Sequence, residues 1–267
     1  MSFIERGRVI NPQYFLLVVG CSRSGTTITS AVLNCHQQIH LAWETSYSLN
    51  FWRDLSKKDI YLRDLVRIAD RQLKNPQSQG GYVYDTKRVK LSKQKRLLVV
   101  GEKIWNPSLL LLAGQYNSIA NLENILATPI KIINCIRHPQ DVVATMCLRN
   151  KIEDSLGIQD RLNWLEQHLL ATASLKQKVN PNNFYDCYHE ELILNPEQTI
   201  SELINFLDLK RSPMDLKAVK NILFEQPKIT RDKITWERDC HQHLLECLQR
   251  YDWLKRYADD IYSDGYS

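Results

Sequence analysis

The chain has 267 residues, 43% of them apolar and 24% charged, with no low-complexity tract and no repeat of fixed period. That composition excludes a disordered, collagenous or solenoid protein and leaves ample length for a buried core. A net charge of +5, with no dense Lys/Arg stripe or aromatic RNA-binding motif, argues against a nucleic-acid partner and suits a pocket for a multiply charged anion.

The seven cysteines (21, 35, 135, 147, 187, 240 and 247) are odd in number and form no C-x-x-C pair. They read as reduced thiols, mostly in the core, of a cytoplasmic protein. The seven histidines show no metal-ligand spacing, and His241 and His243, at i and i+2, fall on different sides of a helix as surface residues, so no metal is expected. No run approaches the ~20 apolar residues of a membrane-spanning helix. One α/β domain is expected over residues 1–267, with a motif-bearing core over about 14–207, a helical C-terminal part over about 208–260, and disorder only at 1–11 and 262–267.

In chain order, Tyr14 to Val19 form a short apolar run that predicts a buried strand. A signal peptide would end at a small-residue cleavage site, whereas this run enters Gly20-Cys-Ser-Arg-Ser-Gly-Thr-Thr27. Gly20, Gly25 and Thr27 keep the spacing of a phosphate loop, but Thr26 stands where the lysine for β- and γ-phosphates belongs. The nearest cation is Arg23, inside the loop, which suits a single phosphate carrying one further anionic group. Ile28, Ala31, Val32 and Cys35 recur at i, i+3, i+4 and i+7, predicting a helix over 26–35 whose N-terminus holds the loop.

Residues 46–81 read as helical and connecting structure ending in the loop Asn75 to Gly81, a natural place for acceptor recognition, and the basic stretch Lys87 to Arg96 reads as a solvated loop. A second strand, Leu97 to Val100, opens into Gly101-Glu-Lys-Ile-Trp-Asn-Pro107. A third, Ile130 to Ile136, ends at Arg137-His-Pro139, with Pro139 opening a helix to Arg149. A fourth, Phe184 to Tyr188, precedes a helix from near Pro196 through Leu207. The alternation predicts a P-loop-type parallel sheet flanked by helices on both faces. Ligands bind such sheets at the carboxyl ends of the strands. The clusters Arg23 to Thr27, Glu102-Lys103 and Arg137 should therefore converge on one crevice.

Asp141, Thr145 and Arg149 share a helical face. In isolation they are a solvated stripe with an ion pair. Beside Arg137, at the mouth of a strand, Arg137, Thr145 and Arg149 are placed to grip a second phosphate. Two phosphate sites in one crevice imply a nucleoside with phosphates at both ends.

These motifs resemble those of sulfotransferases that use 3′-phosphoadenosine-5′-phosphosulfate (PAPS), most closely the branch containing the tyrosylprotein sulfotransferases and bacterial relatives. Ser22-Arg-Ser-Gly-Thr-Thr27 resembles the 5′-phosphosulfate loop, and Arg137 to Arg149 the 3′-phosphate motif, with Thr145 in the usual serine position. The similarity spans roughly residues 14–207. It implies that Arg23, Ser24, Gly25, Thr26, Thr27, Arg137, Thr145 and Arg149 bind the donor, with no metal. Glu44 lies 21 residues after Arg23 (44 − 23), where the branch carries a catalytic glutamate, and Lys103 resembles its lysine after the next strand.

The resemblance implies Glu44, Lys103 and Arg23 as the catalytic set: Glu44 as general base to an acceptor hydroxyl, Arg23 and Lys103 stabilising the transferring group and leaving oxygen. Without the resemblance, Glu44 is a carboxylate opening the Thr45 to Leu55 segment, and His40 is a competing base. Glu102 reads as a supporting residue. The sequence departs from the branch at Ser46, where an arginine is usual, and at His189, which takes the place of a donor-binding tyrosine. Lys228, Thr230, Arg231 and Lys233 are candidates for a C-terminal donor loop. The alternatives are a magnesium-dependent P-loop kinase for nucleotides or small molecules, and a nucleotide-binding module that has lost its chemistry. The acceptor and the oligomeric state stay open.

Overall fold

A computed structural model describes residues 3–5, 8–45, 58–74, 96–210, 214–258 and 260. Its sheet is built around β2 (Arg8–Val19), flanked in parallel by β4 (Arg96–Lys103) and β5 (Ile130–Ile136), with β3 (Ile39–Trp43) and β6 (Phe184–Tyr188) at the ends in the order β3-β4-β2-β5-β6. A short β1 (Phe3–Glu5) pairs antiparallel with the start of β2. The reason for a centre at β2 lies in its side chains: Phe15, Leu17 and Val19 enter one core, while Leu16 and Val18 enter the other. All five are fully buried, so this strand is apolar on both faces, as a central parallel strand must be.

Helices cover both faces. On one side lie α2 (Lys58–Lys74), α3 (Asn106–Gly114) and α4 (Ser118–Leu126), packed through Tyr61, Leu65, Leu109, Leu112 and Leu122. On the other lie α1 (Thr26–Leu33), α8 (Pro196–Phe206) and α9 (Leu216–Ile222), through Ile28, Val32, Leu203, Ile204 and Val219. A third cluster joins α5 (Pro139–Asn150), the start of α6 (Ser155–Lys178) and α10 (Arg238–Arg250). The short α7 (His189–Leu194) follows β6 directly. All seven cysteines are free and buried.

The expected strands and helices are present, with differences that have local causes. β2 begins at Arg8, inside the stretch expected to be disordered, because its first residues pair with β1 and with Arg96 and Leu97 of β4. The ladder to β4 shifts between Ile10 and Tyr14, where Pro12 lacks the N–H a regular ladder needs. α1 stops at Leu33, and Asn34 turns to exchange two hydrogen bonds with the backbone of Leu41 in β3. β3, α3, α4 and the 24-residue α6 are not among the elements expected from sequence. The expected loop at 75–81, residues 87–95 of the expected loop 87–96, the segment after Thr45 with Ser46, and the tail 262–267 lie outside the described residues, while Arg96 opens β4.

Candidate active site

The loop between β2 and α1 is folded by its own polar atoms. Ser24 donates both its N–H and its hydroxyl to the Cys21 carbonyl, at 3.1 and 2.7 Å. Ser24 is thereby buried, bracing the turn. Two glycines permit the path: Gly20 at φ +147° and Gly25 at φ +95°. A Cβ on Gly25 would stand 2.5 Å from Nδ1 of His189. Gly25 caps α1 without a side-chain bond, and the first turn of α1 carries no acid. A helix start of this kind favours an anion through the helix dipole.

Above this loop opens a cavity of about 450 Å³ lined by Gly20, Ser22, Arg23, Thr26, Thr27, Glu44, Lys103, Trp105, Asn106, Arg149 and Trp164, among others. It lies at the carboxyl ends of β2, β3 and β4, so the expected convergence of Arg23 to Thr27 with Lys103 is observed. Arg137, 8% exposed, sits immediately behind, joined to the same loop. Asn106 Nδ2 donates to Ser22 Oγ at 2.9 Å, tying the loop to the segment after β4.

Glu44 follows the last residue of β3 with φ +45°, and Arg23 has φ +76°. Left-handed backbone at a non-glycine residue costs on the order of 1–3 kcal/mol and is held only where its surroundings fix it. For Glu44 the fixing groups are explicit: its N–H donates to the Lys103 carbonyl at 2.8 Å, and its carboxylate is ion-paired with the Lys103 ammonium. The pair is asymmetric, with the glutamate side chain 42% exposed and the lysine 6%. Burial pushes the Lys103 ammonium below its ordinary pKa; Glu44 opposes that shift and Arg23 adds to it.

Neighbouring candidates fall into supporting places. Glu102 is fully buried and accepts from Thr45 Oγ1 at 2.7 Å and from the Tyr61 hydroxyl at 3.2 Å, fastening α2 to the site. His40 pairs with Asp70 at 2.8 Å, both buried. It lies four residues before Glu44, about 13 Å back along the strand, and does not line the cavity.

Arg137 donates through Nη1 to the Arg23 carbonyl and to Thr145 Oγ1, each at 3.2 Å, and through Nη2 to the Lys228 carbonyl. Thr145 also meets Thr230 Oγ1 at 2.9 Å. Arg149, exposed on the same helix, lines the cavity beside Trp164. Asp141 departs from the solvated stripe read in isolation: it is 3% exposed and bonded to Thr230 and Arg231. His189 opens α7 against Gly25, and its imidazole is pushed down to about 4 by burial first and then by Arg137, with Asp141 opposing.

Trp105 and Asn106 belong to the stretch after the second expected strand, where the sequence gives them no role. Trp164 carries no sequence signal at all, because nothing local shows that α6 passes the crevice. The structure also brings Glu166, His243 and Cys247 together, with candidate ligand atoms within 4.8 Å, a juxtaposition the sequence did not show. Both oxygens of Glu166 are engaged, by Arg250 at 2.5 Å and by His243 at 3.2 Å.

A glycine loop without a lysine joins the mouth of the parallel sheet to α1, with cations on three adjoining strand ends, Arg23, Lys103 and Arg137. Residues 16–213 match the model of the Sulfotransferase family, and the chain belongs to that family. No curated protein matches it in sequence. Among solved structures it is similar to a sulfotransferase from Alicyclobacillus acidocaldarius, with a TM-score of 0.50 and 13% identity over 93% of this chain and 96% of that one. It is also similar to mouse sulfotransferase SULT7A1 complexed with PAP, with a TM-score of 0.50 and 10% identity over 97% and 100% of the two chains. The fold is the α/β fold of these sulfotransferases.

Proposed function

We propose that the protein transfers a sulfuryl group from PAPS to a hydroxyl of an acceptor molecule. The observation that carries this reading is the meeting of Glu44, Lys103 and Arg23 in one cavity over a phosphate loop. The residues present fit the donor: α1 offers an uncapped N-terminus, and Gly25 keeps the loop backbone clear of a side chain. The loop residues Arg23 to Thr27 would hold its 5′ end, and Arg137, Thr145 and Arg149 its 3′-phosphate. Bound there, the donor supplies the sulfuryl group and a phosphate leaving oxygen. PAP in the mouse neighbour supports the same choice of nucleotide.

The chain's own groups divide the work. Glu44, half exposed at the cavity wall, takes the proton of the acceptor hydroxyl, a role contributing about 10²–10⁴-fold. Lys103 Nζ, buried beside it, holds the carboxylate in place and supplies positive charge with Arg23 where charge would build. Nothing in this scheme calls on a metal. The family match, with Thr26 in the lysine position, leaves the kinase reading without an observation of its own. We read the protein as one unit of the cytoplasm; the buried free cysteines support a reducing compartment, and no described helix is long and apolar enough to cross a membrane.

The test is transfer of radiolabelled sulfate from PAPS to a panel of phenols, sugars, peptides and lipids bearing hydroxyls. Label on an acceptor with wild type and a loss of about 10²-fold or more in Glu44→Gln is expected. Equal transfer by both proteins would remove Glu44 as the base.

A further inference from the structure

We propose that Asp141 is a positioning residue that fastens the segment 228–233 over the donor crevice, and that Arg231 is its anchor and not a ligand of the donor. This rests on the donor reading above. Asp141 sits in the first turn of α5, where the helix dipole favours a carboxylate, and is buried. A buried carboxylate is costly unless its oxygens are satisfied, and here one short segment satisfies them. Oδ1 accepts the backbone N–H of Thr230 at 2.7 Å and of Arg231 at 2.9 Å, while Oδ2 accepts Arg231 Nη1 at 2.9 Å. The Thr230 hydroxyl adds a bond to the Asp141 carbonyl at 3.0 Å.

Two consecutive amides on one oxygen fix the path of the chain through Thr230. That path places two contacts on Thr145 and Arg137, the residues assigned to the 3′-phosphate behind the cavity. Thr230 Oγ1 reaches Thr145 Oγ1, and the Lys228 carbonyl reaches Arg137, whose other nitrogen holds the Arg23 carbonyl of the phosphate loop. Asp141 is thus joined through Thr230, Lys228 and Arg137 to Arg23 at the reacting end of the cavity. The Arg231 guanidinium is directed at Asp141, and Trp236 Nε1 holds the Arg231 carbonyl at 3.0 Å from the far side. Removing the carboxylate leaves two amides and a guanidinium without their acceptor and frees the segment that aligns Arg137 and Thr145.

Two measurements test this on the full chain. Hydrogen exchange should show the amides of Thr230 and Arg231 protected in wild type and fast in Asp141→Ala without any nucleotide. Calorimetry should show adenosine 3′,5′-bisphosphate binding weakened about tenfold or more in Asp141→Ala, adenosine 5′-monophosphate much less affected, and Asp141→Asn, which keeps one acceptor oxygen, in between. Arg231→Ala in the Asp141→Ala background should add almost nothing, since the two act as one unit. Equal exchange in both proteins overturns the anchor whatever the nucleotide does. Wild-type protein that ignores the bisphosphate while Thr230 and Arg231 stay protected overturns the donor reading and leaves the anchor standing. Should Asp141→Ala not fold, Arg231→Ala alone carries the test: unchanged exchange at 230–231 and unchanged bisphosphate affinity would refute the proposal.

Discussion

Glu44, Lys103 and His189 each make a separable prediction. Glu44→Gln keeps the shape of the side chain and loses the base, so donor affinity and melting temperature should hardly move while turnover falls. The same change removes the anion that opposes the burial shift of Lys103, so the lysine pKa should drop further, observable by NMR of its Nζ-attached protons. An unmoved Lys103 resonance would mean that the ion pair is absent in solution. Lys103→Ala should depress turnover through the leaving oxygen, and its defect should shrink with a donor whose leaving group is a better anion. A constant defect across donors would show that the lysine does not act on the leaving oxygen. His189 gives a pH prediction. Its folded pKa of about 4 lies below the ordinary 6.5, and burial lowers His36 and His168 as well. Between those values the unfolded chain binds more protons than the folded one, so stability rises with pH across that window and is lost as pH falls through it. Thermal melts from pH 7 to 4 should show this slope, and His189→Gln should flatten it. A slope identical in the variant would show that His189 is not a buried neutral histidine.

At the level of elements, the junction of β2 and α1 is the most constrained part of the site. Gly25→Ala places a methyl against the imidazole of His189 at a backbone angle that disfavours any side chain. The expected cost is about 1–3 kcal/mol of stability with loss of bisphosphate binding, measured by urea denaturation and calorimetry. Adding His189→Ala should relieve the collision and leave the backbone strain, recovering part of the stability and none beyond it. Full stability in Gly25→Ala alone would show that the loop takes another path. What the sequence made legible here comes from periodicity. β5 (Ile-Lys-Ile-Ile-Asn-Cys-Ile) and β6 (Phe-Tyr-Asp-Cys-Tyr) are mostly apolar or aromatic runs bounded by Pro129, Arg137, Asn183 and His189, and α1 shows its face at helical spacing. β3 was not legible, because Ile39-His-Leu-Ala-Trp43 is buried throughout and so lacks alternation, and its one polar residue is paired with Asp70 on a helix 30 positions away. The burial of Asp141 was not legible for the same reason: its partners, Thr230 and Arg231, are about 90 residues distant.

On the scale of the whole molecule, the site is where chain segments far apart in sequence come together at one end of the sheet: the loop after β2, the ends of β3 and β4, α5, α6 and the segment 228–233. The turn before α1 and the helix carrying Thr145 and Arg149 could be read from sequence because each is local. The place of Trp164 in the cavity lining could not, since it exists only once α6 has packed along α5. In the proposed reading this assembly binds a nucleoside 3′,5′-bisphosphate through fixed protein charges. The most direct measurement is the thermal unfolding of the intact chain in EDTA with adenosine 3′,5′-bisphosphate, beside ATP with magnesium. At a ligand concentration ~100 times Kd the bisphosphate should add about 2.7 kcal/mol, or roughly 5–10 °C in Tm for a chain of this size, with little effect of ATP and magnesium. Stabilisation by ATP and magnesium alone, with none from the bisphosphate, would contradict binding of the bisphosphate at this site.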